Sequence, residues 1–174
     1  MLPSHCDMNK TPGIDMTTGS LGQGFSCAVG AALGSRVKGD GATIYTIVGD
    51  GESQEGQIWE AAMFAAQQKL SNLIAFTDYN KAQLDGYVSD ICGLGNLKAK
   101  WESFGWQTYE IDGHDYDLIL RTVQEAKTAD GPVMILLDTV KGKGFSMAEA
   151  LGYENHGMTI GDKELEQARK ELAE

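Results

Sequence analysis

Hydrophobic positions in this chain fall into short runs and helical stripes that alternate along its length. Thr43–Val48, Leu73–Thr77 and Val133–Leu137 are short, largely apolar runs that predict buried strands, and Gln107–Ile111 predicts a fourth. The spacing between them predicts helices. One starts near Gly22 and runs to about Lys38, with Phe25, Ala28, Val29, Ala32 and Leu33 as its apolar positions. A central segment places Trp59, Met63, Ala66 and Leu70 on one face. Leu97–Phe104 is a short helix, Tyr116–Lys127 a longer one, and Asp162–Leu172 a charged terminal helix with Asp162 as its cap. Gly39-Asp40-Gly41 is a turn, and the first 20 residues, with Pro3, Pro12, Gly13 and Gly19, read as an extended loop. Lys81–Gly95 and the stretch after the glycine-rich loop Lys141–Gly144 read as irregular. Strand and helix alternating in this way predict an α/β fold: an open, mostly parallel sheet with helices on both faces, in a single domain over residues 1–174.

Composition narrows what such a domain can do. At 174 residues, 42% hydrophobic and 22% charged, the chain has the make-up of a globular domain with a sizeable core. No apolar run approaches the ~18–20 residues that span a bilayer, and the N-terminus lacks a signal-peptide pattern, so no membrane partner is expected. The 25 acidic residues outnumber the 14 basic ones, giving a net charge of −11 that argues against nucleic acid. The same imbalance means that any phosphate must be held by a metal ion and backbone N–H groups, or by basic residues of a partner. Cys6, Cys27 and Cys92 are odd in number and lack ligand spacing, which predicts free thiols in a reducing cytoplasm.

The chemistry concentrates at the ends of two predicted strands. Gly49-Asp50-Gly51 follows the first and Asn80 the second, with 28 residues between Gly51 and Asn80. In a strand–helix–strand unit both carboxyl-end loops lie at one edge of the sheet, where α/β proteins bind ligands. Gly-Asp-Gly alone is a common turn; the second loop with its amide, and the helix between, turn it into a pair of hard oxygen donors. Such donors suit Mg²⁺, which shares its octahedron with phosphate oxygens. The Ala82 carbonyl, two residues past Asn80, is placed to add a third protein ligand.

A wider set of residues resembles a known family. Gly49-Asp50-Gly51-Glu52-Ser53-Gln54-Glu55-Gly56 with Trp59-Glu60-Ala61, then Asn72-Leu73-Ile74, Asp78, Asn80 and Asp85-Gly86, resembles transketolase and, more broadly, the diphosphate-binding domain of thiamine diphosphate enzymes. Thr11–Asp15, Thr17–Gly24, Asp112–Asp115 and Thr139–Gly144 extend the resemblance over nearly the whole chain. Glu52–Gly56 and Lys141–Gly144 disfavour other thiamine enzymes, such as deoxyxylulose-phosphate synthases or keto-acid dehydrogenase components.

The resemblance implies roles residue by residue. Asp50, Asn80 and the Ala82 carbonyl would hold Mg²⁺, with Gly49 and Gly51 bringing backbone close to the diphosphate. Gly19 and Leu21 would contact the aminopyrimidine ring. Glu55 matches a glutamate of the subunit-interface carboxylate network; taken alone it is an acidic residue in the first turn of a helix. His5 aligns with a substrate-facing histidine, although Cys6 stands where that pattern has proline. His156 aligns with a histidine reaching the cofactor phosphate, although Asn155 replaces the usual tryptophan. By themselves both are loop histidines with a surface reading. His114 has no catalytic counterpart and reads as structural.

The implied activity is transfer of a two-carbon ketol unit from a ketose phosphate to an aldose phosphate, in the cytoplasmic pentose phosphate pathway, with thiamine diphosphate carrying the carbanion chemistry. Relative to the family the domain is expected to be N-terminally incomplete and to lack the pyrimidine-binding half. The partner this implies is a complementary transketolase C-terminal subunit, in a homodimer or heterotetramer, with an exposed apolar surface along the Glu55–Ala66 helix. A non-catalytic cofactor-binding module stands as the alternative.

Overall fold

The computed structural model describes Pro3 and residues 5–173. The chain enters α1, Gln23–Lys38, after a run of turns, and leaves it through Gly39, whose left-handed φ of 68° closes the helix by donating its N–H to Ser35 and Arg36 carbonyls. Strand β1 is Ile44–Gly49, α2 is Gly56–Gln67 and β2 is Leu73–Tyr79. A hairpin of two-residue strands follows, β3 Ala82–Gln83 with β4 Gly86–Tyr87, then the short helix α3, Val88–Cys92. Next come α4 Leu97–Ser103, β5 Gln107–Asp112, α5 Tyr116–Ala126 and β6 Val133–Asp138. Helices α6, Ser146–Leu151, and α7, Asp162–Glu171, complete the chain. Asn96 and Asp115 start α4 and α5 by accepting the N–H groups of Ala99 and Leu118, each at 2.9 Å.

Strands β1, β2, β6 and β5 form, in that order, a four-stranded sheet that is parallel throughout. Alternate residues of the buried strands serve opposite faces. Val48, Leu73, Ala75, Met134 and Leu136 join Phe25, Val29, Ala32, Ile58, Ala62, Ala65 and Trp101 in one core, beneath α1, α2 and α4. Ile74, Val133 and Ile135 turn to the other face, where α5 covers them with Ala126 and Val123. Helices therefore lie on both faces, as the alternation predicts. In the larger core Trp59 and Trp101 have ring centroids 4.8 Å apart, and Trp106 donates to the Ala62 carbonyl at 3.0 Å.

Local details differ from the sequence reading. Helix α2 turns Ile58, Ala62 and Ala65 inward, one residue round from the expected stripe, the small alanines facing the core it shares with α1. Trp59 and Ala66 flank that face, Met63 is mostly exposed, and Leu70 is buried in the turn beyond the helix. The first residue of α7 is Asp162, and Gly161 takes the cap position without a side-chain bond. Lys81–Gly95 carries the hairpin and α3, and residues 146–157 carry α6 and a 3-10 turn, Gly152–Gly157, all too short for periodicity to reveal. No helix among the described residues is long and apolar enough to cross a membrane.

Candidate cofactor site at the carboxyl edge of the sheet

Register aligns Gly49 of β1 with Asp78 of β2, so the loops leaving the two strands start side by side. Asp50, the first residue past β1, donates its N–H to the Asp78 carbonyl at 3.2 Å. Its side chain is 1% exposed. One carboxylate oxygen accepts the Gly51 N–H at 2.7 Å and the other accepts the Lys81 N–H. Burial pushes the carboxyl above its ordinary range; the two N–H bonds and the more distant Lys81 charge act in the opposite direction, and the Asp78 charge adds to the rise. Among the described residues no salt bridge reaches Asp50, since the Lys81 ammonium pairs with Asp138 and lies 4.4 Å from the Tyr79 ring centre. A buried carboxylate without a cationic partner is a costly arrangement that a metal ion relieves.

The second loop is bent to meet the first. Lys81 adopts a left-handed φ of 64°, and its N–H turns towards Asp50. The half-buried Asn80 donates its amide to Asp78 at 2.8 Å and accepts the Ala82 N–H at 3.0 Å. Ala82 lies in β3, and Gln83 beside it sits over the first loop: a Cβ on Gly51 would come within 2.8 Å of the Gln83 Cβ. Gly51 has an ordinary helical φ of −59°, so what it provides is space rather than an unusual dihedral. A carboxylate, an amide oxygen and a main-chain carbonyl on two interlocked loops fit a hard divalent cation. No cluster of three or more His, Cys, Asp or Glu among the described residues offers a competing metal site.

The other candidate residues lie on separate segments. Gly19 lies against His5, so that a Cβ there would be 2.8 Å from the imidazole Cδ2, while Leu21 presents its side chain to solvent. Glu55 is exposed at the start of α2, and its Cβ lies 3.5 Å from where a Cβ on Gly22 would stand. His156 is exposed on the 3-10 turn, which rests on the hairpin through an edge-on Tyr87–Tyr153 pair 5.1 Å apart. His114 accepts the Val140 N–H on Nε2 at 2.9 Å and tethers two loops, the structural part read for it. Met63 and Phe64 project from the outer side of α2, beside Gln57, which bonds Ser26 of α1 at 2.8 Å.

Glu52 is a residue that the sequence reading passed over. Its two carboxylate oxygens accept the N–H groups of Gly22, at 2.8 Å, and Gly49, at 3.2 Å. It therefore joins the loop ahead of α1 to the loop after β1. Nothing in the sequence signals this, because Gly22 lies 30 residues upstream of Glu52.

Fold and edge together define an α/β cofactor-binding domain, built to present oxygen donors and glycine turns at the carboxyl ends of parallel strands. The chain belongs to the transketolase family: residues 1–173 match the family described as transketolase, thiamine diphosphate binding domain. Over 99% of its length it is 57% identical to the 6-deoxy-6-sulfo-D-fructose transketolase subunit SqwG of Clostridium sp. (strain MSTE9). It is 41% identical, over 98% of its length, to an apulose-4-phosphate transketolase subunit of Actinobacillus succinogenes. The chain spans 62% of the length of each of these two relatives. Among solved structures, transketolase from Campylobacter jejuni superposes with a TM-score of 0.85 at 30% identity, over 92% of this chain and 26% of that one.

Proposed function

We propose that this chain is the diphosphate-binding part of a transketolase divided between subunits, holding thiamine diphosphate through Mg²⁺ and working only with a complementary chain that brings the pyrimidine-binding domain. The observation that carries the reading is Asp50: a carboxylate 1% exposed, without an ion-pair partner among the described residues, interlocked with the Asn80–Ala82 loop. Residues 1–174 act as one diphosphate-binding domain. Two relatives named as subunits support the division between chains.

Asp50, Asn80 and the Ala82 carbonyl hold the metal. Gly49 and Gly51 keep the backbone near the diphosphate free of side chains, with Gln83 packed over Gly51. Gly19 and Leu21 take the pyrimidine side, and Glu52 keeps their loop in register with the metal loop. Glu55, exposed at the start of the helix that carries the exposed Met63 and Phe64, belongs to the face that meets the second half-site, in a homodimer or heterotetramer. His5 and His156 line the entry for sugar, where imidazoles pass protons to and from hydroxyls. The bound cofactor supplies the electron sink for breaking and making the carbon–carbon bond.

The reaction is transfer of a two-carbon ketol unit from a ketose phosphate to an aldose phosphate, in the cytoplasm and within the pentose phosphate pathway. A second donor class is favoured by one observation: the 57% identical relative is named for a sulfonated fructose. Calorimetric titration with thiamine diphosphate, in Mg²⁺ and then in EDTA, tests the site. Metal-dependent binding is expected, and metal-independent binding refutes it. Reconstitution with the complementary chain, assayed on phosphorylated and sulfonated ketoses, tests the reaction; a chain that binds cofactor yet yields no transfer with any partner is a non-catalytic module.

A further inference from the structure

Asn80 faces a problem common to all amide ligands: its oxygen and nitrogen have the same shape, and only one of them can face a cation. In this fold the choice is made by Asp78 together with the Ala82 N–H. The Asp78 carboxylate accepts the Asn80 amide N–H at 2.8 Å, and the Asn80 oxygen, facing the other way, accepts the Ala82 N–H at 3.0 Å. Reversing the amide would set its oxygen against a carboxylate, and its NH₂ against both the Ala82 N–H and any cation. Asp78 is itself held. Its second oxygen accepts the hydroxyl of Thr139, just beyond β6, and the Thr139 N–H donates to the Tyr79 carbonyl at 3.4 Å.

We infer that Asp78, clamped by Thr139, is a positioning residue that fixes the amide of Asn80 with its oxygen towards the cation. The inference rests on the Mg²⁺ reading of Asp50, Asn80 and Ala82. Asp78 is placed to act through Asn80: one of its oxygens holds the Asn80 amide and the other is held by the Thr139 hydroxyl. Partners of this kind are typically worth 10–100-fold in metal affinity. An orientation lock also has a signature that charge alone lacks. Mg²⁺ demands near-ideal octahedral geometry whereas Ca²⁺ accepts irregular shells, so loosening the amide penalises Mg²⁺ more.

The test titrates Mg²⁺ or Ca²⁺ into the chain at saturating thiamine diphosphate, followed by calorimetry, for wild type, Asp50→Asn, Asp78→Asn and Thr139→Val. Asp78→Asn is isosteric and removes the carboxylate's hold on the Asn80 NH₂, leaving the Ala82 N–H alone to orient the amide. Thr139→Val removes the clamp without changing charge. Asp78→Asn is expected to lose about tenfold or more in Mg²⁺ affinity, with a fall of only about threefold for Ca²⁺. Thr139→Val is expected to show a smaller loss with the same bias towards Mg²⁺. Equal losses for both ions in Asp78→Asn, with Thr139→Val at wild-type affinity, would reduce Asp78 to a nearby charge and overturn the inference. So would wild-type Mg²⁺ affinity in Asp78→Asn. Undiminished metal-dependent binding in Asp50→Asn identifies a different failure, that of the cation site itself.

Discussion

Replacing Asp50 by asparagine separates what the carboxylate does for the fold from what it does for the cofactor. Its oxygens accept the Gly51 and Lys81 N–H groups in an environment that excludes water. Alanine would leave both donors unsatisfied, at about 1–3 kcal/mol each, a serious fraction of the ~5–15 kcal/mol that holds a domain together. The burial of Asp50 thus makes truncation structurally costly even though the residue lies in a loop. Asparagine keeps one acceptor and presents its NH₂ to the other donor, while removing the charge that burial disfavours. The two effects oppose, and the net loss should stay below about 2 kcal/mol, or roughly 4–8 °C in Tm for a chain of this size. Saturating Mg²⁺ with thiamine diphosphate at about 100 times its Kd stabilises the wild type by about 2.7 kcal/mol, which corresponds to roughly 5–11 °C. Asp50→Asn should show less than about 1 °C of that ligand-induced shift. Differential scanning fluorimetry of both proteins, with and without ligand, reads it directly. A variant that folds and still shows the full shift would refute the placement of the cation at Asp50.

Glu52→Ala should release the N–H groups of Gly22 and Gly49, cost about 1–3 kcal/mol, and raise amide exchange at Gly22; unchanged protection there would remove the inter-loop clamp. Gly51→Ala forces a Cβ to 2.8 Å from Gln83, so metal-dependent binding should fall and should recover in part when Gln83 is also cut to glycine; no recovery would assign the constraint to the cofactor alone. Met63→Ser with Phe64→Ser should weaken association of the chain with itself or with its complement, as read by sedimentation; a wild-type chain that stays monomeric at high concentration and in the presence of the complement would count against that surface.

How much of this was legible in the sequence follows from which interactions are local. The two central strands show themselves because a strand covered on both faces must be a run of apolar residues, as β2 and β6 are. Asp50 and Asn80 were visible because β1 and β2 are neighbours joined by one helix, so adjacency in sequence became adjacency at the sheet edge. The inward face of α2 was misread because the large residues Trp59 and Met63 flank the contact, while Ala62 and Ala65 make it. The hairpin and α6 are too short to show a period. The links that organise the site, Glu52 to Gly22 and Asp78 to Thr139, join residues 30 and 61 positions apart, and no local pattern announces them.

The charge of the chain and the geometry of its edge lead to one conclusion about how an anion can sit here. Strands β1, β2, β6 and β5 carry Asp50, Asp78, Asp138 and Asp112 at or beside their carboxyl ends, and among the described residues Lys81 is paired with Asp138 alone. At an effective dielectric of about 20, a carboxylate and a phosphate charge about 8 Å apart repel by ~2 kcal/mol. Several such pairs would outweigh the few backbone N–H groups the loops can offer. A divalent cation between them reverses the sign of the interaction. Without metal, any residual affinity for thiamine diphosphate should therefore rise with ionic strength, because salt screens repulsion. Titrations in EDTA at low and high NaCl measure that slope. An affinity that instead falls as salt is added would mean that basic side chains of this chain hold the diphosphate, and the cation would lose its place at the centre of the site.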